Sequence, residues 1–260
     1  MRVLRVQYNN HTFYASLHGD ELMCLNKALG LNQPIPLREV AVVPPVMPTK
    51  IVCSAINYRS HAQEMQKNVP DEPVIFLKPP SSIIGTGMPI ILPAMSNRVD
   101  HEAELAVVMG KACRNLEPDE VAEHIFGYAC ANDVTARDLQ KKDGQYGRAK
   151  GFDSFCPIGP WIETQVPDPR NLAIAARVNG NLIQQGNTRD MLFPPFELIS
   201  HISKVMTLQP GDVVLTGTPE GVGPLRHGDE VRVEIEGVGI LINRVVAEKA
   251  GESEKETPMQ

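Results

Sequence analysis

The sequence predicts a mixed α/β fold in which β-strands predominate. Short apolar stretches recur along the chain between glycine, proline and asparagine turn signals, a pattern typical of strands. The closing stretch 229–246 alternates Val231, Val233 and Ile235 with charged residues, which is the period of two expected of a half-buried antiparallel hairpin. Helical patterns are few and short. A β-rich core with few short helices follows from these observations.

Further strands are expected at 51–57, 73–77, 103–109, 127–133, 173–179 and 212–217, since each is an apolar run bounded by turn residues. Helices are expected at 60–67, 117–125, 135–142 and 194–206. The last of these opens with two prolines, which the first turn of a helix tolerates. The sequence shows no repeat at the spacing of solenoids or propellers, so both architectures are excluded.

A proline cluster predicts a domain boundary near residue 48. The stretch "VVPPVMPTK" places three prolines in nine residues, and proline's fixed φ and missing N–H disfavour any regular element there. Residues 1–48 alternate short apolar runs with turn signals and are predicted to form a small β-rich domain. Residues 49–248 are predicted to form the main domain, and the polar stretch 249–260 a flexible tail.

Composition and charge narrow the class of protein. The chain has 260 residues, of which 42% are hydrophobic and 22% charged, as in a soluble globular protein with one large core. Its net charge of -6 disfavours nucleic acid as a partner, because nucleic-acid binders usually carry a basic excess. No run approaches the roughly 20 apolar residues of a membrane span, and the first residues lack the apolar segment of a signal peptide. A cytoplasmic protein that binds a small molecule is predicted.

The cysteines predict neither disulfides nor a thiolate zinc site. The chain has 5 cysteines, an odd number, and they are scattered without a C-x-x-C pair. A reducing compartment agrees with this use of cysteine. They are Cys24, Cys53, Cys113, Cys130 and Cys156.

Two glutamates in "VDHEAELAVVMG" raise the first functional question. On a strand, Glu102 and Glu104 point to the same side, roughly 6.6 Å apart along the backbone, just before the segment becomes apolar on both faces. Holding two like charges partly out of water costs several kcal/mol unless a cation or a raised pKa compensates. A hard divalent metal such as Mg²⁺ or Mn²⁺ is the simplest compensation. The alternative is a pair at the wet end of the strand beside a lysine or arginine.

A third acid is a candidate for the same site. Asp133 follows the apolar stretch "YACAN", and Thr135 is placed to cap the next helix. Acids at the ends of core strands are well placed to converge. An aspartate before a helix is also an ordinary turn or capping residue, so both interpretations stay open here.

The stretch "NYRSHAQEM" supplies a candidate base. Ser60 and Gln63 match an S-x-x-Q capping box, which predicts a short helix with His61 in its first turn and Glu64 on the same side. The helix N-terminus disfavours imidazolium and the glutamate favours it, so His61 is expected to be near neutral at pH 7 and able to take a proton from water. A solvated His–Glu pair on an exposed helix is the alternative.

Two further segments carry little weight alone. Lys150 lies at the edge of the aromatic stretch "GFDSFCPIGPW", and Thr218 lies in the glycine-rich "LTGTPEGVGP" after a predicted strand. That loop lacks the G-K-[ST] ending of a Walker motif. The chain also lacks a G-x-S-x-G elbow, an H-E-x-x-H motif and a dinucleotide-binding fingerprint.

Taken together, these segments resemble the fumarylacetoacetate hydrolase family, specifically its members with a single catalytic domain. The resemblance covers about residues 50–246 and implies a rolled, mixed β-sheet core, commonly in a homodimer. The short N-terminal segment differs from the longer SH3-like domain of the founding hydrolase. The matching stretches are "NYRSHAQEM", "PVIFLKPPSSIIGTG", "DHEAELAVVMGK", "GYACANDVTARDLQ", "RAKGFDSFCPIGPWI", "RVNGNLIQQGNTRDMLF" and "LQPGDVVLTGTPEGVGPLRHGDEVRVEIEGVG".

By this resemblance, Glu102, Glu104 and Asp133 correspond to the family's metal-binding carboxylates, with Mg²⁺ or Mn²⁺ as the cofactor. His61 and Glu64 correspond to its water-activating pair on a lid that orders over the substrate. All the proposed ligands are oxygen atoms, which disfavours a zinc hydrolase.

The resemblance also assigns the groups around the substrate. Lys150 corresponds to the oxyanion-stabilising lysine, and Arg137, Gln140 and Thr218 to substrate-binding residues. It implies an enzyme that acts on a 2-oxo acid through a metal-bound enolate. Hydrolysis of the C–C bond of an acylpyruvate-like 2,4-dioxo acid is the first expectation. Decarboxylation or isomerisation of a related dicarboxylate is the alternative, and a non-catalytic protein that binds a divalent ion or a small acid is the third.

Overall fold

The structure is a computed structural model that describes residues 1–248, so the predicted tail 249–260 lies outside it. The strands of the described residues, numbered in chain order, are β1 (Arg2–Tyr8), β2 (His11–His18), β3 (Glu21–Cys24), β4 (Ile35–Pro36), β5 (Ala41–Val43), β6 (Ile51–Ala55), β7 (Val74–Lys78), β8 (Ile83–Ile84), β9 (Ile90–Leu92), β10 (Val99–His101), β11 (Ala103–Met109), β12 (Ile125–Asn132), β13 (Thr135–Ala136), β14 (Cys156–Glu163), β15 (Ala173–Val178), β16 (Asn181–Asn187), β17 (Val213–Leu215), β18 (Gly223–Pro224), β19 (Glu230–Ile235) and β20 (Gly239–Ala247).

Helices are short and few, as predicted. The α-helices of the described residues are α1 (Arg59–Glu64), α2 (Arg137–Asp143), α3 (Gly147–Lys150) and α4 (Pro195–Val205). Short 3-10 helices occupy Lys27–Leu29, Leu37–Glu39, Pro80–Ser82, Pro118–His124 and Thr188–Asp190. The segment predicted as a helix at 117–125 is thus a 3-10 helix, and α3 was not predicted. None of the helices in residues 1–248 has the length and the apolar run that crossing a bilayer requires.

Three sheets make up the predicted mixed β-rich fold. The largest runs in the order β4-β3-β2-β1-β14-β12-β11-β17-β6-β7, with β5 beside β1 and β8 beside β14. A second sheet runs β16-β15-β19-β20-β9, and a third runs β13-β10-β18. Most neighbours are antiparallel, whereas β17 pairs with β6, β14 with β8 and β20 with β9 in parallel. The fold is the rolled, mixed β-structure expected from the sequence.

Strand β11 lies at the centre of the large sheet and is buried on both faces. Its residues Leu105 and Val107 pack into the largest hydrophobic cluster, together with residues of α4. Ala106 and Val108 point the other way, into a second cluster. A strand buried on both faces cannot shift its register without exposing apolar side chains, so β11 is a rigid support for the two glutamates at its start.

The first strands have a hydrophobic cluster of their own and join the large sheet through β1. Val3 on β1 pairs with Ile162 on β14, while Leu4, Val6 and Phe13 pack together on the N-terminal side. The division of the chain near residue 48 stays a prediction. All five cysteines are free thiols.

Candidate active site

The structure brings the three predicted acids together. Glu102 lies between β10 and β11, Glu104 on β11, and Asp133 directly after β12. Antiparallel pairing of β11 with β12 aligns their ends, and the Asp133 N–H donates to the Glu102 carbonyl at 2.8 Å. One carboxylate oxygen from each of the three side chains lies within 4.8 Å of the others, and all three residues are buried.

The Lys150 ammonium lies among these acids. Its Nζ donates to Glu102 Oε2 at 2.8 Å, to Asp133 Oδ2 at 2.6 Å and to Thr135 Oγ1 at 2.7 Å. Three hydrogen bonds use every proton that an ammonium has. Burial alone would lower the pKa of Lys150, but the carboxylates of Asp133 and Glu102 outweigh it and raise that pKa, so the side chain stays charged.

Two more cations bind the carboxylates of Asp133 and Glu102. The fully buried Lys78 at the end of β7 donates to Asp133 Oδ1 at 2.5 Å and to the Phe155 carbonyl at 2.8 Å. Arg137, at the start of α2, donates to Glu102 Oε1 at 2.5 Å and to Asp100 Oδ2 at 3.0 Å. Both oxygens of Glu102 and both oxygens of Asp133 therefore have cationic partners.

Glu104 is different, because no lysine or arginine of residues 1–248 forms an ion pair with it. Its Oε2 accepts one hydrogen bond, from the Gly217 N–H at 2.6 Å. Burial raises the pKa of Glu104 well above its ordinary value, and the nearby charges of Asp133 and Glu102 raise it further. By contrast, Lys150 and Arg137 outweigh the effect of burial on Glu102 and hold its pKa below its ordinary value.

The donor set fits a hard divalent cation. Three carboxylates meet at one point, and the one carboxylate that faces the cavity without a cationic partner in the described residues is Glu104. Mg²⁺ and Mn²⁺ prefer carboxylate oxygens, whereas zinc sites usually include nitrogen or sulfur. A bound cation would also favour the charged form of Glu104, whose pKa is raised by burial and by the nearby Asp133 and Glu102.

The glycine-rich loop after β17 presents backbone N–H groups to the acids. Gly217 has a φ of +93°, and a Cβ atom there would lie 2.6 Å from the Cβ of Asn57. Gly221 has a φ of +94°, and its N–H donates to Glu64 Oε1 at 2.9 Å. Both positions require glycine, because the left-handed backbone and the close approach exclude a side chain.

His61 and Glu64 form the predicted pair on α1. The His61 Nδ1 lies 3.0 Å from Glu64 Oε2, and His61 is buried. Since a carboxylate only accepts hydrogen bonds, Nδ1 donates to Glu64, and Nε2 is the ring nitrogen that this pair leaves for another partner. His61 also lines the cavity that contains Glu102 and Glu104. His61 is thus buried in the site, whereas the Glu64 side chain that binds it is 28% exposed.

Both predicted helix caps are wrong. Helix α1 begins at Arg59 after Tyr58, without a side-chain cap, because Tyr58 bridges to Met191 and fixes the chain before Ser60 is reached. Helix α2 follows Ala136, also without a side-chain cap. Thr135 is occupied elsewhere, because its hydroxyl donates to the Asp133 carbonyl at 2.8 Å and accepts from Lys150.

The predicted substrate-binding residues line the same cavity. Arg137 Nη1 donates to Gln140 Oε1 at 2.7 Å across one turn of α2. The buried Thr218 hydroxyl accepts from Gln184 Nε2 at 2.8 Å. The cavity has a volume of about 20 Å³, roughly the room of one water molecule. Its lining includes His61, Glu102, Glu104, Arg137, Gln140, Lys150 and Thr218. Glu64 and Asp133 do not line it, but they bind His61 and Lys150, respectively.

Sequence reasoning missed Lys78 and Gln184. Lys78 ends the apolar run "VIFLK" before two prolines, and an isolated lysine at the end of a core strand is a usable signal of a buried cation. Gln184 lies on β16 with no such signal. Its side chain accepts from the Ala103 N–H at 3.0 Å and donates to Thr218, so it joins β11 to the glycine-rich loop.

The fold and the cluster together define a class of protein, rolled β-sheet proteins with an acidic centre where the strands end. The family model for the fumarylacetoacetate (FAA) hydrolase C-terminal domain matches residues 50–246. The chain belongs to the fumarylacetoacetate hydrolase family, whose members are enzymes.

Three relatives illustrate the match. The human mitochondrial oxaloacetate tautomerase FAHD2A is 44% identical over 238 residues, which is 86% of this chain and 76% of that protein. The crystal structure of 5-carboxymethyl-2-hydroxymuconate delta-isomerase from Mycobacterium smegmatis has a TM-score of 0.87 at 43% identity, covering 96% of this chain and 100% of that one. Maleylpyruvate hydrolase from Sphingobium sp. SYK-6, solved with manganese(II) and pyruvate, has a TM-score of 0.82 at 34% identity and the same coverage.

Proposed function

We propose that Glu102, Glu104 and Asp133 hold a Mg²⁺ or Mn²⁺ ion and that the protein converts a 2-oxo acid through its enolate. The observation that carries the proposal is the cluster of three buried carboxylates in which Glu104 has no cationic partner among residues 1–248. A divalent cation supplies a Lewis acid that polarises a 2-oxo carbonyl. The relative solved with manganese(II) and pyruvate supports both the metal and the class of ligand.

His61 is the proposed base. His61 lines the cavity, and Glu64 holds the ring through Nδ1, so a proton taken up at Nε2 would produce an imidazolium stabilised by the carboxylate. The same Glu64 binds the N–H of Gly221, and this contact ties α1 to the glycine-rich loop.

Lys150 is the proposed oxyanion-stabilising group. It stays charged because of Asp133 and Glu102, and it lies next to the carboxylates that would hold the metal. All three of its protons are used within the protein, so donation to a substrate oxygen requires one of these hydrogen bonds to be exchanged. Arg137, Gln140 and Thr218 are proposed to orient the substrate from the wall of the cavity.

Hydrolysis of an acylpyruvate-like 2,4-dioxo acid is the first candidate reaction. Water that has lost a proton to His61 adds to the C4 carbonyl, the C3–C4 bond breaks, and its electron pair becomes the enolate of pyruvate. Protonation at C3 then completes the products, a carboxylic acid and pyruvate. The maleylpyruvate hydrolase relative supports this reaction class.

Isomerisation or decarboxylation of a related 2-oxo dicarboxylate is the second candidate. The observation that favours it is the nature of two more similar relatives, an oxaloacetate tautomerase and a delta-isomerase. Isomerisation forms the enolate by loss of one proton and ends with return of a proton at another position, both of which are assigned to the His61–Glu64 pair. Decarboxylation forms the enolate by loss of CO₂, whose C–C electron pair stays on the substrate, and needs only one proton delivered. A homodimer and a cytoplasmic location stay predictions.

Parallel assays separate the candidates. Release of pyruvate and of CO₂ would be measured on acetylpyruvate, fumarylpyruvate, oxaloacetate and a hydroxy-heptadienedioate, together with enol–keto conversion, with Mn²⁺ and with EDTA. At least one substrate is expected to turn over, and chelation is expected to abolish that turnover. Activity that persists unchanged in EDTA would refute the proposal.

The variant His61→Gln tests the base. Since general base catalysis contributes about 10² to 10⁴ in rate, kcat is expected to fall by at least about 10² while Mn²⁺ affinity stays within a factor of about two. A non-catalytic binding protein would instead show no turnover in either form and the same Mn²⁺ affinity in both.

A further inference from the structure

A second cavity continues from the candidate site toward the surface. It has a volume of about 390 Å³, in the range of small-molecule pockets, and shares Met65, Lys67, Arg137, Gln140 and Tyr146 with the deep cavity. The deep cavity has a volume of only about 20 Å³, so most of the length of a substrate would lie in this outer one, with its reacting end in the deep one. The residues of the outer cavity therefore bear on substrate choice.

The charge of the outer cavity is positive. Lys67, which follows α1, and Lys141, on α2, both line it, and no acidic residue of the described chain is among its lining. Neither ammonium forms an ion pair with a carboxylate of residues 1–248. Arg137 is the third cation, but Asp100 and Glu102 already neutralise it. Lys67 and Lys141 are thus the cations of the outer cavity that form no ion pair within residues 1–248.

An aromatic wall joins the deep end to the mouth. The rings of Phe76 and Tyr146 stack with centroids 4.6 Å apart. The Lys150 Nζ lies 5.3 Å from the Phe76 centroid, and the Lys67 Nζ lies 5.7 Å from the Tyr146 centroid. A cation–π contact holds Lys67 at this end of the wall. The wall therefore presents an apolar surface with a cation at each end.

We infer that Lys67 and Lys141 bind a second carboxylate of the substrate, at the end remote from the acidic cluster. The inference rests on the proposed function, because it places the 2-oxo acid end among Glu102, Glu104 and Lys150. The carbon chain then lies along Phe76 and Tyr146, and a terminal carboxylate reaches the two free ammonium groups. The substrate class is an extended 2-oxo dicarboxylate rather than a 2-oxo acid with an apolar tail.

A matched pair of ligands tests this subsite. The affinities of 2-oxoadipate and 2-oxohexanoate, which have six carbons each and differ in a terminal carboxylate or methyl group, would be measured by calorimetry in the presence of Mn²⁺. The wild-type protein is expected to prefer 2-oxoadipate by about tenfold or more, the effect of one or two charge-assisted hydrogen bonds. Lys67→Met and Lys141→Met are each expected to reduce this preference, and the double variant to abolish it, with the affinity for 2-oxohexanoate unchanged.

Lys142→Met is the matched control, because Lys142 is exposed on the same helix but does not line the cavity. It is expected to keep the wild-type preference. Equal affinities of the wild-type protein for the two ligands, or a preference that survives in the double variant, would overturn the distal subsite and leave the proposed function standing. Failure of both ligands to bind with Mn²⁺ would refute the 2-oxo acid site itself, and the subsite with it.

Discussion

Two buried carboxylates lie at opposite ends of the same pair of strands and differ in how many hydrogen bonds the protein donates to them. Asp212 precedes β17 beside Met109, the last residue of β11, and Glu104 lies at the other end of β11. Asp212 accepts five hydrogen bonds through both oxygens, from Thr49 N and Oγ1, Lys50 N and Nζ, and Gln209 N. Glu104 accepts one, from Gly217.

The difference separates a structural acid from one kept for a ligand. Burial alone would raise the pKa of Asp212, but Lys50 and the other donors outweigh it and lower that pKa. For Glu104 the effect of burial prevails and the pKa rises. A carboxylate whose own chain satisfies it stabilises the fold, whereas a buried carboxylate that its chain leaves unsatisfied costs stability until a cation binds. Replacing each of the two acids by its amide tests this comparison.

The largest effect is expected from Glu104→Gln. The amide keeps the shape and the hydrogen bond from Gly217 but removes the charge, so Mn²⁺ affinity or kcat/KM is expected to fall by about 10³ or more, corresponding to about 4 kcal/mol. The free energy of unfolding of the metal-free protein is expected to stay the same or to rise, because the neutral amide avoids the unfavourable ionisation that burial and the neighbouring acids impose on Glu104. Calorimetry with Mn²⁺ and urea unfolding in EDTA measure the two effects.

Asp212→Asn is the control for Glu104→Gln, because it also replaces a buried carboxylate by an amide. It is expected to bind Mn²⁺ with the affinity of the wild-type protein. If Glu104→Gln instead lost several kcal/mol of stability while still binding Mn²⁺ normally, Glu104 would be a structural acid like Asp212, and the comparison would fail.

The second-largest expected effect is a loss of stability in the variant Asp212→Asn. The amide nitrogen of asparagine would face donors, since Lys50 Nζ and the Gln209 N–H both point at Asp212 Oδ2, and the Lys50 ammonium would lose its partner. Breaking a buried ion pair costs about 3 to 5 kcal/mol, and the partly exposed Lys50 places the expected loss near the lower figure, about 3 kcal/mol. Urea unfolding measures it. A loss below about 1 kcal/mol would mean that the hydrogen bonds around Asp212 contribute little.

The comparison also shows which parts of the site the sequence can predict. Glu102 and Glu104 were predictable because a period of two puts both on one side of a strand, and the apolar residues after them show that the strand is buried. Asp133 was predictable as an acid where a core strand ends. The strands around these residues follow the same logic, and their pattern of alternating residues was enough to predict the β-rich fold.

Long-range polar contacts were beyond reach of the sequence. Lys78 meets Asp133 across 55 residues of chain, and Gln184 meets Ala103 across 81. The apolar run before Lys78 indicates a buried cation, but no local pattern identifies the partner of either residue. The same limit explains the two wrong caps, because Ser60 and Thr135 have the right residue types for capping. Tertiary contacts decide otherwise, through the bridge from Tyr58 to Met191 and the hydrogen bond from Lys150 to Thr135.

The smallest expected effect is on the pH dependence of stability. Because the folded-state pKa of Asp212 lies below its ordinary value of 3.8, its contribution to stability is complete above about pH 4 and is lost as the pH falls through the lowered pKa. One proton changes the slope of the unfolding free energy by at most about 1.4 kcal/mol per pH unit. Between about pH 4 and pH 2, Asp212→Asn is therefore expected to lose stability less steeply than the wild-type protein, in urea unfolding followed at each pH.

Asp168 is the matched control, since Arg170 also lowers its pKa, but both side chains are about half exposed and water screens the pair. Asp168→Asn is expected to leave the slope almost unchanged, and an equal flattening in both variants would show that the burial of Asp212 has no special part in acid stability.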